Sequence, residues 1–207
     1  PHHEAEVAQM ESISSKKPFV KYWIHIAFLN INKEKMSKSL GNFFTIRDAL
    51  AKYDPKILRY FYLSSHYRSP LDFSEQSLEQ AKNSLDRIHD FVRVLENYTG
   101  DESSLKVTKL IIKTQKAFEK AMDDDFETAK ALAVLFDFIR EINILLGKKM
   151  MSTINAQEIL TFMHKIDIVF GILEEKTEIP QDVKTLINQR EEARKTKNWK
   201  EADHLRE

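Results

Sequence analysis

A group of closely spaced lysines is the feature of this sequence that most directly suggests chemistry. The stretch NKEKMSKSLGNF, residues 32–43, carries Lys33, Lys35 and Lys38 with two serines and a glycine, and it has no acidic residue after Lys35. Lysine side chains are compact cations, so several in one loop repel one another unless water or an anion screens their charge. The stretch therefore predicts either a solvated basic turn or a mobile loop that holds a phosphate group.

The lysine stretch is not a P-loop, because the pattern Gly-x-x-x-x-Gly-Lys-Ser/Thr occurs nowhere in the chain. It lies between a predicted strand and a predicted helix, a position where phosphate groups are often bound. The stretch alone does not decide between the two interpretations.

A second candidate site is a histidine–glutamate pair near the start of the chain. Residues 2–13 contain good helix formers and predict a helix, on which His2 and Glu6 project from one face and could share a metal ion. The spacing alone is weak evidence, because such pairs arise by chance in a chain with 7 histidines and 32 acidic residues. The other interpretation is an ordinary surface contact between the two side chains.

The composition limits the class of protein. With 42% hydrophobic and 31% charged residues, the chain can form cores, but no apolar run approaches the roughly 18 residues of a membrane-spanning helix. Its 32 basic and 32 acidic residues balance, so net charge gives no indication of a nucleic-acid partner. The absence of cysteine excludes disulfide bonds and favours a cytoplasmic protein. The chain begins with Pro1 and no signal peptide precedes it, so we expect a piece of a longer protein.

The first part of the chain predicts short helices around one extended segment. The extended segment, residues 19–31, is rich in aromatic and β-branched residues. Thr45 and Asp48 form a capping box at the start of a short helix, and Asp54 followed by Pro55 begins the next helix. These two helices are predicted to end near Tyr53 and Leu63.

The chain from Ser74 onward predicts four long helices, because apolar residues recur there at steps of three and four. The apolar positions are, helix by helix, Leu78, Ala81, Leu85, Ile88, Val92 and Leu95; Val107, Leu110, Thr114, Ala117 and Ala121; Thr128, Leu132, Leu135, Ile139, Ile142 and Leu146; and Ile159, Phe162, Ile166, Phe170 and Leu173. Asn155, with Glu158 as its capping partner, is the predicted start of the fourth helix. Such helices, joined by short connections, most simply pack as an antiparallel four-helix bundle. Residues 179–180 predict a break, and residues 190–207 predict a charged helix or helical hairpin.

The predicted fold class is α/β followed by all-α. Residues 1–73 form the mixed part, residues 74–173 form the helical bundle, and residues 174–207 begin a further domain. This architecture alone assigns no function.

Several contiguous stretches of the chain resemble one enzyme family. Lys35-Met36-Ser37-Lys38-Ser39 resembles, at every position, the KMSKS signature of class I aminoacyl-tRNA synthetases. The opening Pro-His-His-Glu-x-Glu-x-Ala-Gln is similar to a segment of the cysteinyl-tRNA synthetases. Further stretches similar to that family are residues 22–25, 35–48, 66–70, 122–126 and 190–206. The resemblance covers essentially the whole chain, although Ile26-Ala27 replaces the family's usual Asn-Gly and changes a turn preference.

The resemblance implies a role for each of the three parts. Residues 1–73 would be the C-terminal part of a Rossmann-type catalytic domain, with a zinc-helix segment, the KMSKS loop and a stem-contact region. Residues 74–173 would be a DALR-like, tRNA-binding bundle. Residues 174–207 would be the start of an anticodon-side domain.

The resemblance also implies a two-step reaction that uses ATP, with Mg²⁺, as a substrate. L-cysteine is activated to cysteinyl-adenylate, and the acyl group then passes to tRNA(Cys) for protein synthesis. Lys38, together with Lys35, would stabilise the departing pyrophosphate, because fixed cations there bind the transition state more tightly than the ground state. Met36, Ser37 and Ser39 would complete the ATP-binding loop.

Zinc is the cofactor that the resemblance implies, with His2 and Glu6 among its ligands. A zinc ion with an open position binds a thiolate better than an alcohol, which would separate cysteine from serine. The family's other zinc ligands are cysteines, and its nucleotide-binding half carries a His-Ile-Gly-His type signature; this chain contains neither. We therefore expect that part of the active site lies outside these residues and that this piece alone is not a competent enzyme.

Other residues keep two interpretations each. Trp23 favours a core position over a substrate contact, and Arg68 and the run Asp123–Asp125 favour loop and cap chemistry over tRNA contacts. The roles of His3 and His25 stay open. Basic residues of the late helix predict either tRNA phosphate contacts or a solvated face: Arg190, Arg194, Lys195 and Lys197.

The expected partners are tRNA(Cys), L-cysteine and ATP, with no membrane, and we expect a monomer. One rival is a synthetase-like ligase that joins cysteine to an amino sugar by the same adenylation chemistry; the helices after residue 74 favour tRNA over it. The other rival is a helical module that binds RNA or protein without catalysis. The intact KMSKS stretch argues against that module, because a protein that only binds has no use for a pyrophosphate clamp.

Overall fold

A computed structural model describes residues 2–36, 45–174 and 181–195, and the single residues 198, 199 and 203. Ser37, Lys38 and Ser39 lie outside the described residues, as does the predicted break at residues 179–180, and of Lys35 only the backbone is described. The chain forms two compact units, Pro1–Leu173 and Glu174–Glu207, which are treated separately.

The first unit begins with a helix that contributes nothing to a core. Helix α1, His2–Ser14, contains no buried residue, and the predicted helix over residues 2–13 is confirmed. The chain then continues without regular secondary structure to residue 28. Every second residue at the end of this stretch exposes an apolar side chain, namely Tyr22, Ile24, Ile26 and Phe28. Of the predicted extended segment, only residues 29–31 form a strand.

A small mixed sheet follows. Its strands are β1 (Leu29–Ile31), β2 (Glu34–Lys35) and β3 (Leu71–Phe73), in the order β2-β1-β3. Strand β1 runs antiparallel to β2 and parallel to β3. Asn32 and Lys33 connect β1 to β2 with φ angles of 50° and 68°, the left-handed conformations that a two-residue hairpin turn requires.

Two short helices connect β2 to β3, and both begin where the sequence predicts. Thr45 caps α2 (Ile46–Lys52) in a complete capping box, in which the Asp48 carboxylate accepts from the Thr45 backbone N–H at 2.9 Å. Asp54 caps α3 (Pro55–Leu63) and accepts from the Lys56 N–H at 2.7 Å. These local hydrogen bonds satisfy donors that the first turn of a helix leaves unpaired.

Four long helices make up the rest of the first unit. They are α4 (Glu75–Glu96), α5 (Leu105–Asp123), α6 (Thr128–Gly147) and α7 (Thr153–Phe170). Every predicted apolar position is buried or half-buried, which confirms the periodicity. Three buried phenylalanines beside the predicted stripes also fill the core: Phe91, Phe118 and Phe138.

The predicted start of α7 at Asn155 is wrong. Ser152 is the N-cap, and its side chain accepts from the Asn155 N–H, so the helix begins at Thr153. Asn155 is instead buried at the third position of the helix, where its side-chain oxygen accepts from the Ser104 N–H at 2.9 Å. Asn155, which resembles an N-cap, thus binds the residue that precedes α5. The two residues are 51 positions apart, so the local sequence does not indicate this contact.

One apolar core joins the short and the long helices. Leu58 and Phe61 of α3 and Phe73 of β3 are buried in the same cluster as the inner faces of α4–α7. The boundary predicted between residues 73 and 74 therefore lies inside a continuous core, and the division into two domains there stays a prediction.

The second unit contributes one described helix, α8 (Gln181–Lys195). The Asn198 N–H donates to the carbonyl of Ala193 at 2.8 Å just beyond its end. None of the helices in the described part of the chain is long and apolar enough to cross a membrane.

Replacing Leu85 with alanine tests the core. Leu85 is fully buried on α4, and we expect Leu85→Ala to lower the free energy of unfolding by about 2–5 kcal/mol, because the cavity does not refill. Urea unfolding of the chain followed by circular dichroism measures the change. Val94, exposed on the same helix, supplies the control, and Val94→Ala should change the stability by less than about 0.5 kcal/mol. Equal effects of the two substitutions would show that the packing of α4 is wrongly described.

Candidate functional site

The predicted metal pair lies on the exposed face of α1. The His2 Nε2 atom is 3.5 Å from Glu6 Oε1, and their side chains are 88% and 52% exposed. Their spacing brings the two groups together as predicted. In the described chain this is an open surface contact with both donor atoms reachable by an ion.

Three aromatic residues pack beside this pair. The Nδ1 atom of His3 lies 3.3 Å from Nε2 of His25, and the His3 ring lies 5.3 Å from the Trp23 ring. Trp23 and His25 are stacked at 6.5 Å. Trp23 is 45% exposed, so its predicted core position is wrong: it packs against a helix that has no buried face. No local pattern in the sequence indicates this cluster, because His3 and His25 are 22 residues apart.

The described residues alone do not complete a metal site. Among them, no three His, Cys, Asp or Glu side chains are grouped so that they could hold a metal ion. An imidazole nitrogen and a carboxylate oxygen are both suitable zinc ligands, but structural and catalytic sites use three or four. His2 and Glu6 therefore fit zinc as part of a larger donor set.

Both ends of the lysine segment are anchored. Lys33 lies in the hairpin turn, where its backbone N–H donates to the carboxylate of Asp72 on β3. Strand β2 carries the backbone as far as Lys35, and the next residue, Met36, is half-buried. The next described residue along the chain is Thr45, the cap of α2. Lys33 thus belongs to the hairpin turn, whereas the backbone of Lys35 belongs to strand β2.

The capping box at the start of α2 contains a charged group, the carboxylate of Asp48. The Asp48 carboxylate accepts hydrogen bonds from the side chain and the backbone of Thr45, and these lower the pKa of Asp48. The carboxylate therefore stays ionised and keeps the capping box intact at neutral pH. The described residues on the two sides of the segment between Met36 and Thr45 thus belong to hydrogen-bonded elements, β2 before it and the capped α2 after it.

A second polar cluster joins the segment after α3 to the turn between α5 and α6. The Asp125 carboxylate accepts from Arg68 Nε at 2.7 Å, from Arg68 Nη2 at 3.2 Å and from the Tyr67 hydroxyl at 2.6 Å. The His66 Nε2 atom lies 2.9 Å from the Asp125 carbonyl oxygen, to which it donates. We call these four residues the Asp125 junction. Arg68 and Asp125 thus make the loop contacts that the sequence favours for them.

The hydrogen bonds of the Asp125 junction reinforce its charges. Those from Arg68 and then from Tyr67 lower the pKa of Asp125. The same acceptor raises the pKa of the Tyr67 phenol and of the Arg68 guanidinium. At neutral pH the carboxylate is therefore ionised and both donors keep their protons.

A third polar cluster closes the end of α7. Arg59 and Lys56 of α3 donate to the carbonyls of Phe170 and Leu173, and His89 Nε2 donates to the carbonyl of Ile172 at 2.8 Å. We call this the α7-end junction. Cationic donors are favourable at a helix C-terminus, where carbonyls lack partners and the helix dipole is negative. Helices α3 and α4 are thereby held to the end of α7 by polar as well as apolar contacts.

Glycine is required at the end of α7. Gly171 has φ of 61°, and a Cβ atom there would lie 3.0 Å from Arg59 Nε. Any larger residue would therefore be strained and would also push against the arginine of the α7-end junction.

Comparison with known proteins matches the two parts of the first unit to two families. Residues 1–83 match the family described as tRNA synthetases class I (C) catalytic domain, and residues 117–174 match the DALR domain. The whole chain is 42% identical to a cysteine–tRNA ligase of Thermodesulfovibrio yellowstonii, of which it covers 47%. It is 43% identical to the cysteine–tRNA ligase of Chlamydia muridarum, covering 46% of that protein. The cysteine–tRNA ligase of Lachnospira eligens is 44% identical, with 45% covered.

The chain belongs to the cysteinyl-tRNA synthetase family. It spans about half the length of the relatives that it matches. His2, Glu6 and the KMSKS stretch lie in the part that matches the class I catalytic domain, while α6 and α7 lie in the DALR match.

The two junctions cross between these family matches. Arg59 and Arg68 belong to the catalytic-domain match, whereas their partners Phe170 and Asp125 belong to the DALR match. Polar contacts thus connect the synthetase catalytic segment to the DALR helices at two separate places.

Zinc titration tests the incomplete donor set. We expect this 207-residue synthetase chain to bind zinc weakly, because His2 and Glu6 offer only two ligands. Isothermal titration with zinc chloride at neutral pH measures the affinity, and His2→Ala is the comparison. Tight uptake of one zinc ion that His2→Ala abolishes would contradict the expectation, since it would require further ligands within this chain.

Proposed function

We propose that the whole protein is a cysteine–tRNA ligase, of which this chain is a portion. It activates L-cysteine with ATP, in the presence of Mg²⁺, and transfers the cysteinyl group to tRNA(Cys) for protein synthesis. The observation that carries this proposal is sequence identity of 42–44% along the entire chain to three cysteine–tRNA ligases, with the KMSKS stretch intact. Translation takes place in the cytoplasm, which is the proposed location, and the proposed oligomeric state is a monomer.

The three parts of the chain have separate proposed roles. Residues 1–73 are the C-terminal part of a Rossmann-type catalytic domain. Residues 74–173 are a DALR-like four-helix bundle that binds tRNA, and residues 174–207 begin an anticodon-side domain. The four exposed apolar residues that lead into β1 (Tyr22, Ile24, Ile26 and Phe28) pack in the whole protein against the remainder of the catalytic domain, because a sheet with parallel strands is normally covered on both faces.

Lys38 and Lys35 act in the adenylation step. The cysteine carboxylate attacks the α-phosphate of ATP, and negative charge builds on the pyrophosphate as its bond breaks. Ammonium groups placed beside that charge stabilise the transition state more than the bound substrate. Ser37, Ser39 and Met36 contact ATP in the same loop, and the anchors at Lys33 and Thr45 keep the ends of the loop in place.

His2 and Glu6 take part in cysteine recognition. They contribute an imidazole and a carboxylate to zinc, with further ligands supplied by the rest of the protein. When bound, zinc prefers the thiolate of cysteine to the hydroxyl of serine. Glu6 stays beside His2 through the helical spacing, so the two donors reach the same ion.

A ligase that joins cysteine to an amino sugar is the second candidate, because it would use the same adenylation chemistry. The DALR match over residues 117–174 favours tRNA as the acceptor. Incubating the whole protein with cysteine and ATP, and with either tRNA(Cys) or an amino sugar, distinguishes the two. Cysteinylation of the sugar but not of the tRNA would overturn the proposal, and absence of cysteine-dependent ATP–pyrophosphate exchange would overturn both candidates.

Substituting Lys38 tests the adenylation role. In the whole protein, Lys38→Ala should slow ATP–pyrophosphate exchange by roughly 100- to 1000-fold, the usual effect of removing one donor to a developing charge. Cysteine binding should change little. The matched control is Lys52→Ala, at the exposed end of α2, which should leave the exchange rate unchanged. An unaffected rate in Lys38→Ala would remove this lysine from the mechanism.

Substituting Glu6 tests the zinc role. In the whole protein, Glu6→Gln should lower the zinc content, raise the KM for cysteine and weaken discrimination against serine, while the KM for ATP stays constant. Metal analysis and exchange assays with cysteine and serine give these values. Glu4→Gln, on the same exposed helix, is the control. Full zinc content and full selectivity in Glu6→Gln would leave the pair as a surface contact only.

A further inference from the structure

The turn between α5 and α6 has a backbone that is unusual for its residues. Asp125 and Phe126 have φ angles of 55° and 56°, although glycine normally occupies such positions at a helix C-terminus. The turn is closed by hydrogen bonds from the Phe126 N–H to Met122 O and from the Glu127 N–H to Ala121 O, both 3.1 Å. Non-glycine residues persist in this conformation only where surrounding contacts hold them.

The contacts that hold this turn come from three consecutive residues of the catalytic segment. His66, Tyr67 and Arg68 together direct four hydrogen bonds to the side chain and carbonyl of Asp125. Among the ion pairs of the described residues, Asp124, the preceding residue, contacts only Lys130 of α6, at 3.6 Å, and so makes no ion pair with the catalytic segment. Within the run Asp123–Asp125, Asp125 is therefore the residue that contacts the catalytic segment.

The Asp125 junction contributes little to the stability of the core. The side chains of Arg68 and Asp125 are 62% and 46% exposed, and ion pairs at exposed positions contribute little to the free energy of unfolding. The apolar cluster already holds α3 against the long helices. A strained backbone and a bidentate arginine are thus maintained at a place where packing does not need them, which is typical of a functional position.

We propose that Asp125 is a positioning residue for transfer of cysteine to tRNA. This inference rests on the proposed function. Asp125 fixes the α5–α6 turn, with its exposed Phe126 and Lys130, against the catalytic segment. The DALR helices therefore present tRNA to the adenylate in a defined orientation. Adenylation involves no tRNA and does not depend on the junction.

Kinetics of the two steps separate this role from a structural one. In the whole protein, Asp125→Asn keeps a side chain that tolerates the left-handed conformation but removes the charge that Arg68 binds. We expect kcat/KM for tRNA(Cys) to fall about 10-fold or more, within the roughly 100-fold that a misplacement of 1 Å can cause. ATP–pyrophosphate exchange and the Tm should stay unchanged.

Matched variants sharpen the test. Asp124→Asn changes the neighbouring aspartate and should leave both steps as in the wild type. Arg68→Ala should reduce transfer to the same degree as Asp125→Asn, and the double variant should be no worse than either single one, because both remove the same contact. The transfer rate of Arg68→Lys should lie between those of Arg68→Ala and the wild type, since lysine keeps the charge without the bidentate geometry.

If Asp125→Asn folds poorly, Tyr67→Phe provides a milder variant, because it removes only one hydrogen bond to Asp125. It should lower transfer and leave exchange intact. Unchanged transfer in a folded Asp125→Asn or Tyr67→Phe protein would overturn the proposal, and so would an equal loss of exchange and transfer together with a lower Tm. If the wild type performs no cysteine-dependent exchange, the proposed function itself fails, an outcome that these variants do not affect.

Discussion

Helix α3 packs against the sheet and the long helices with neighbouring side chains, and the arrangement of the first unit depends on this double contact. Phe61 is fully buried and meets Phe73 of β3 edge to face, with 5.6 Å between ring centroids. The adjacent Tyr60 is buried toward α4, where its hydroxyl is hydrogen-bonded to Ser84, and burial raises the pKa of Tyr60. Because protein interiors are close-packed, the sheet cannot shift against the long helices without opening this core.

Polar contacts at two places hold the same segments together as the apolar core does. Arg59 and Lys56 reach from α3 to the end of α7, and Arg68 reaches from the following segment to Asp125. Both clusters connect residues of the catalytic-domain match with residues of the DALR match. In the proposed cysteine–tRNA ligase this matters, because the loop proposed to bind ATP and the helices proposed to bind tRNA must act on one adenylate. A common core with two polar connections is a physical basis for that coordination.

The chemical groups lie away from this core. His2 and Glu6 are exposed on α1, which buries none of its residues, and the cluster of His3, Trp23 and His25 lies beside them in solvent. Exposed donors and exposed apolar residues in the same region are what a partly assembled catalytic domain would present, and the relatives are about twice as long as this chain. The long helices, by contrast, bury their inner faces in the core that they share with α3 and β3.

The features that could be predicted from the sequence alone depend on residues that are close together in the chain. Helix starts at Thr45 and Asp54 follow from caps that act within three residues, and the inner faces of α4–α7 follow from helical periodicity. The family follows from contiguous stretches, namely KMSKS together with the opening Pro-His-His-Glu segment and the other similar stretches. Tertiary structure alone decided that Asn155 binds Ser104 instead of capping α7, that Trp23 lies on the surface, and that Arg68 meets Asp125 across 57 residues. The reason is physical: a polar side chain can be satisfied by many partners, and only the packing of distant segments selects one of them.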